Sequence, residues 1–309
     1  MDLVGDRLVL PLIDAQLVHS KMYQLCDGVS LIALSPQYKE RLRSHPDLIA
    51  RYETSVDAMS CAVVVQPTLI GGLATTNWAA TLELAVFSAM AVRLATGVPV
   101  DVPFWFDVEG EKIRGFGNTH VRTFRIENRY LYPVDDGQQL DGIAALQRGF
   151  DDVLKKYVND ANSNVLIRAI HFAAIAFQTR HIPSRLVNNT IYVEALFSGN
   201  TTEIAFQIAS CVSWYLEATN SGEKRVELFS KMKEIYSYRS KIVHGADVSS
   251  KNKNLRQALA SSEVINTRIF QKVLNEKHVE IFSMRKDKRD QELKLLSLGA
   301  GSTLIDKRA

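Results

Sequence analysis

The sequence predicts an α+β N-terminal domain, residues 1–138, followed by an all-α domain of packed helices, residues 139–309. Three observations carry that expectation. Short β-leaning runs recur through the first half and nearly vanish after a polar, turn-rich stretch, Val134-Asp-Asp-Gly-Gln-Gln-Leu-Asp-Gly142. Beyond it, apolar residues return every three or four positions in one segment after another. The connections between those segments are short, which makes successive helices antiparallel neighbours in a bundle.

In chain order, strands are expected at Arg7–Leu12, Val29–Leu34, Ala62–Ile70, Pro103–Val108 and His120–Ile126. One helix is expected between Ala79 and Thr96, where Leu82, Leu84, Ala85, Phe87, Ala91, Val92 and Leu94 crowd one broad side and Gly97 follows as a stop. After the boundary, helical periodicity covers roughly 141–158, 163–180, 184–198, 201–218, 223–244 and 255–282, and a tail rich in lysine and arginine follows.

Composition narrows the function classes. At 309 residues, 46% hydrophobic and 23% charged, the chain suits two ordinary globular domains. A net charge of +3 is only mildly basic, so any polyanion partner must be recognised at a local site. Cys26, Cys61 and Cys211 lie far apart with no metal-ligand spacing, which favours a reducing cytoplasmic compartment and no structural zinc. The first residues lack the charged and apolar regions of a signal peptide, and no apolar run approaches the ~18–20 residues of a membrane span. Gly71-Gly72 and Gly115-Phe-Gly117 lack the strand, spacing and lysine of a phosphate loop. No paired carboxylates line up with histidines for two-metal chemistry. The expectation is a soluble protein without cofactor or metal.

The most informative stretch is Ile-Tyr-Ser-Tyr-Arg-Ser-Lys-Ile-Val-His-Gly, residues 235–245. Leu228, Met232, Ile235 and Ile242 are spaced 4, 3 and 7, and the missing member of that stripe is Arg239. A guanidinium cannot be deprotonated, so one on a core-facing stripe needs a carboxylate, a phosphate or an interface. Five residues on, His244 lies about 140° round the helix and ~7.5 Å along it. Gly245 fits a C′ position, which puts His244 in the last turn, where the dipole favours a cation. Ser240 and Lys241 share the histidine's side. A guanidinium, an imidazole, a hydroxyl and an ammonium at one helix end are groups a phosphodiester would engage. A structural ion pair with a helix-capping histidine accounts for the same spacing, and Arg114 with His120, in a glycine-broken stretch expected to be a turn, repeats it elsewhere.

The surrounding segments add context. Tyr192-Val-Glu-Ala-Leu-Phe-Ser198, Thr202-Glu-Ile-Ala-Phe-Gln-Ile-Ala-Ser-Cys-Val-Ser213 and Lys231-Met-Lys-Glu-Ile-Tyr-Ser-Tyr-Arg-Ser-Lys-Ile-Val-His-Gly245 together resemble HEPN domains of the ApeA-like group. The resemblance spans about 150–280, and Arg-Ser-Lys-Ile-Val-His-Gly is its most specific string. It implies an up-and-down helical bundle that forms a homodimer and, in catalytic members, a metal-independent endoribonuclease. Arg239 and His244 match the motif's arginine and histidine. Ser240 stands where the family often has asparagine, aspartate or histidine, and Glu194 and Glu203 match acidic positions that could hold Arg239. RNA (tRNA or mRNA) is then the implied partner, and a defence or toxin setting the implied context.

Such chemistry requires a base for the 2′-OH, a cation for the phosphorane and an acid for the 5′-oxygen. One chain supplies one suitable histidine; a two-fold dimer supplies two, with two guanidiniums. The expected reaction is transesterification to a 2′,3′-cyclic phosphate and a 5′-hydroxyl, with residues 1–138 sensing or selecting substrate. The rival expectation is a non-catalytic HEPN scaffold or RNA-binding protein, and a small nucleotide-like ligand in a closed pocket is a third. Among other features, His171 suits a core position, His181 a helix terminus, Trp78, Trp105 and Phe106 core packing, and the run Arg285-Lys-Asp-Lys-Arg289 with Lys277 a solvated helix face.

Overall fold

A computed structural model describes residues 6–13, 15–17, 22–45, 56, 59–66, 78–96, 102, 104–109, 112–118, 132–133, 137–157, 165–179, 181–199, 203–249, 252–275, 278–282 and 284–301. The chain divides into two compact units, Met1–Lys155 and Lys156–Ala309. An antiparallel sheet dominates the first, and the second is mostly helical.

In the first unit, β1 (Asp6–Ile13), β3 (Met22–Cys26), β4 (Val29–Ala33), β5 (Met59–Val65), β6 (Phe104–Glu109) and β7 (Lys112–Asn118) form a six-stranded sheet in the order β3-β4-β5-β1-β6-β7. A separate parallel pair joins β2 (Ala15–Gln16) to β8 (Tyr132–Pro133). The centre is β1 against β5, with Leu8 opposite Val65 and Leu12 opposite Cys61. Their side chains are buried consecutively, which occurs when both faces of a sheet are covered. Val9, Ala62, Val64, Phe106 and Val108 pack with Tyr38 and Leu42 of α1 (Pro36–Ser44). Helix α2 (Trp78–Thr96) packs on β1 and β5.

Some elements depart from the sequence expectation. Helix α1 begins with a Ser35 hydroxyl accepting the Tyr38 N–H at 3.2 Å and with Pro36 in its first turn, a capping signal masked by the strand run that precedes it. Arg114–Asn118, expected as a turn, is strand, with Phe116 opposite Phe106. The predicted strand at 120–126, with His120, and the basic residue Lys277 lie outside the described residues. Helix α3 (Gly137–Tyr157) starts inside the stretch taken as the domain boundary, and the two units divide near its far end. Leu140, Ile143, Ala144, Leu146, Phe150 and Val153 give it a continuous buried face, and Phe150 stacks on Phe87 of α2 at 5.7 Å. Tyr23 of β3 donates to Asp141 at 2.8 Å. Those contacts place the helix with the sheet, because a buried stripe outweighs two glycines near a helix start.

The second unit contains α4 (Val165–Gln178), α5 (Ile182–Phe197), α6 (Ile204–Glu217), α7 (Gly222–Val243), α8 (Lys253–Asn275), α9 (Val279–Phe282) and α10 (Lys286–Ser297). Helix α5 is central and packs against α4, α6, α7 and α8. Its Tyr192 ring stacks on Phe270 of α8 at 4.5 Å, and Phe197 meets Tyr215 and Phe282 at 5.3 and 5.5 Å. The expected helix over 255–282 is two elements, and the basic tail contributes α10, which the Cys211 thiol holds by donating to the Leu293 carbonyl at 3.4 Å. Within the basic run, Arg289 is buried, so only its neighbours Arg285, Lys286 and Lys288 face solvent. Phe106 is buried as expected, Trp105 and His171 are partly exposed, and His181 is the N-cap of α5.

Candidate functional site

Helix α7 carries the arginine and ends at the histidine. Leu228, Met232, Ile235 and Tyr236 bury its core-facing side, and their continuation at Arg239 is only half-buried. Ile242 is partly exposed and Val243 is 50% exposed, so the apolar stripe gives way to surface in the last two turns. The Arg239 guanidinium pairs with Glu194 of α5, at 3.1 Å to Oε1 and 3.3 Å to Oε2. Of the two carboxylates left open by the sequence, Glu194 is therefore the partner. Glu203 is the N-cap of α6, at φ 52°, and borders a separate depression with Gly199, Phe206, Gln207, Asp290 and Lys294.

The pair lines an open groove together with Ile204, Ala205, Lys233, Tyr236, Ser237 and Ser240. Glu194 is its one acidic lining residue. The Tyr236 side chain is buried, and its hydroxyl makes no hydrogen bond of normal geometry. Burial, and next the neighbouring Glu194 carboxylate, raise the Tyr236 pKa far above that of a free phenol, so the hydroxyl keeps its proton as a donor. The Arg239 Nε is likewise buried without a partner. Part of the guanidinium's donor capacity thus serves Glu194 while the rest is available.

The end of α7 is closed by backbone geometry. Gly245 adopts φ 75°, its N–H donates to the Ile242 carbonyl at 3.1 Å, and the Ala246 N–H donates to the Lys241 carbonyl at 2.8 Å. This pair of bonds is a Schellman cap, with Gly245 at the C′ position expected from the sequence. His244 is the C-cap residue, exposed, with its N–H donating to the Ser240 carbonyl at 3.0 Å. Its imidazole has no hydrogen-bond or ion-pair partner among the described residues, so the cap is made by backbone and glycine alone. Lys241 is exposed, with Nζ 5.3 Å above the Tyr238 ring.

The structure thus brings Glu194, Arg239 and Ser240 into one groove, leaves His244 and Lys241 outside its lining, and sets Glu203 elsewhere. Sequence reasoning missed Lys233 and Ser237. Their signal was the spacing 233, 237, 240, 244, which is one helical face. Chemically, the groove offers a fixed guanidinium, an ammonium and hydroxyls to an anion, with an unengaged imidazole one turn beyond Ser240. Among the described residues no cluster of three or more His, Cys, Asp or Glu is arranged to hold a metal ion, and no helix is long and apolar enough to cross a membrane.

No family model, curated protein or solved structure matches the chain.

Proposed function

We propose that the helical unit is a HEPN-like, metal-independent endoribonuclease that acts as a homodimer, each copy contributing Arg239 and His244 to one cleft. The observation that carries this reading is the His244 imidazole. It stands exposed at a helix end whose cap does not use it, one turn from a groove built around an oriented, half-buried arginine. A histidine without a structural task beside an anion-binding groove is suited to proton transfer. One copy's histidine takes the proton from the 2′-OH as O2′ bonds to phosphorus, and the partner copy's histidine protonates the departing 5′-oxygen as the P–O5′ bond breaks. The two guanidiniums stabilise the phosphorane.

A second reading has its own support. Glu194 already neutralises Arg239, which is what a non-catalytic dimerising or RNA-binding HEPN scaffold needs. Measuring RNA binding and RNA cleavage separately distinguishes the two. The nuclease reading expects His244→Ala to keep binding within a few-fold and lose about 10²-fold or more in cleavage rate. The scaffold reading expects neither wild type nor variant to cleave above background.

A further inference from the structure

Lys233 is the exposed cation of the groove. The lysines near it on α7 are engaged: Lys231 pairs with Glu227 at 2.6 Å, and Lys241 sits over Tyr238. Lys233 has no counter-charge among the described residues, although Glu194 is in the same groove, because Arg239 holds that carboxylate. Ser237 and Ser240 follow it at intervals of four and three residues, both exposed, and His244 follows at four more. At ~1.5 Å per residue, the backbone at Lys233 lies about 9 Å along the axis from that at Arg239 and about 16 Å from that at His244. The groove also holds the buried Tyr236 hydroxyl, beside the Glu194 carboxylate, and the Arg239 Nε, a donor without a partner.

We infer that Lys233, with Ser237 and Ser240, forms a second phosphate site that holds a backbone phosphate of single-stranded RNA adjacent to the one at Arg239 and His244. This inference rests on the reading of the groove as RNA-binding, and it assigns a positioning role that the Arg239–His244 motif does not include. The groups along the groove can all donate, and its one carboxylate is paired with Arg239, so the site is matched to an anion. Long side chains lean toward a helix's N-terminus, so the ~16 Å of rise to His244 carries the Lys233 ammonium out of reach of a phosphate held at that histidine. The phosphate at Lys233 must therefore belong to a neighbouring nucleotide, which fixes how the strand lies along α7.

The test is the salt dependence of binding of a labelled, mixed-sequence, single-stranded RNA oligonucleotide to the full chain, with every variant in the His244→Ala background so that the RNA stays intact. Removing one cation that neutralises a phosphate of a single strand reduces the slope of log K against log salt by about 0.7. Lys233→Ala is expected to show that reduction with several-fold weaker binding at low salt. Lys233→Arg should retain the slope, and Lys231→Ala should leave it unchanged. An unaltered slope in Lys233→Ala overturns the second site and leaves the cleavage reading to stand or fall on His244. Absence of RNA binding by the parent protein overturns both. A reduced slope in a protein whose His244-intact form does not cleave upholds the second phosphate site and removes the nuclease.

Discussion

Gly245 and Gly299 close two helices in the same way, at φ 75° and 66°, yet their side-chain tolerance differs. A Cβ at Gly245 meets nothing within 4 Å, so only the left-handed backbone disfavours it. Gly245→Ala should destabilise the protein by about 1 kcal/mol. A Cβ at Gly299 would run into the Trp214 ring. Gly299→Ala should therefore cost about 2–4 kcal/mol, read from denaturant midpoints, because the strained backbone adds to overpacking. Equal losses would contradict this assignment. Gly245 was legible in the sequence because it ends a periodic stretch. The demand at Gly299 was not, since it comes from a ring 85 positions away.

At the scale of elements, the turn from α6 to α7 is held by charge. Arg225 donates to the Glu217 and Asn220 carbonyls at 3.1 and 2.6 Å while its guanidinium lies 4.4 Å over Trp214. Glu217, buried at the end of α6, accepts from Arg268 of α8 and from Asn220, each at 2.5 Å. Burial alone would raise the Glu217 pKa, but hydrogen bonds from Arg268 and Asn220 and the Arg268 charge outweigh it, and the carboxyl is held below the usual glutamate value. Its ion pair thus contributes stability that is complete above the unfolded-state pKa and lost as pH falls through the folded one. Glu217→Gln should flatten the loss of stability in acid relative to wild type, measured as denaturant midpoint against pH. Parallel curves would contradict it. Neighbour charges of this kind are invisible in a linear pattern, whereas the helices themselves were visible through their 3.6-residue period. The same limit applied at Arg239: its place on the α7 stripe showed that it needed a partner, and only the packing of α5 on α7 selected Glu194.

For the whole molecule, the sequence supported a sheet followed by helices, because β-leaning runs and helical periodicity occupy different halves of the chain. The sequence reading set the division at 138/139, whereas the two compact units divide at 155/156, past most of α3, whose start carries glycines and polar residues and whose Leu140–Val153 face is buried. The proposed catalytic role could not be reached from one chain, since His244 is outside the groove that Arg239 lines and the proposed reaction needs two imidazoles. The central claim is the reaction itself, and the most direct measurement is the end chemistry of RNA incubated with wild-type protein in excess EDTA. The proposed reaction predicts cleavage that leaves 2′,3′-cyclic phosphate and 5′-hydroxyl ends; intact RNA, or 5′-phosphate ends, would contradict it.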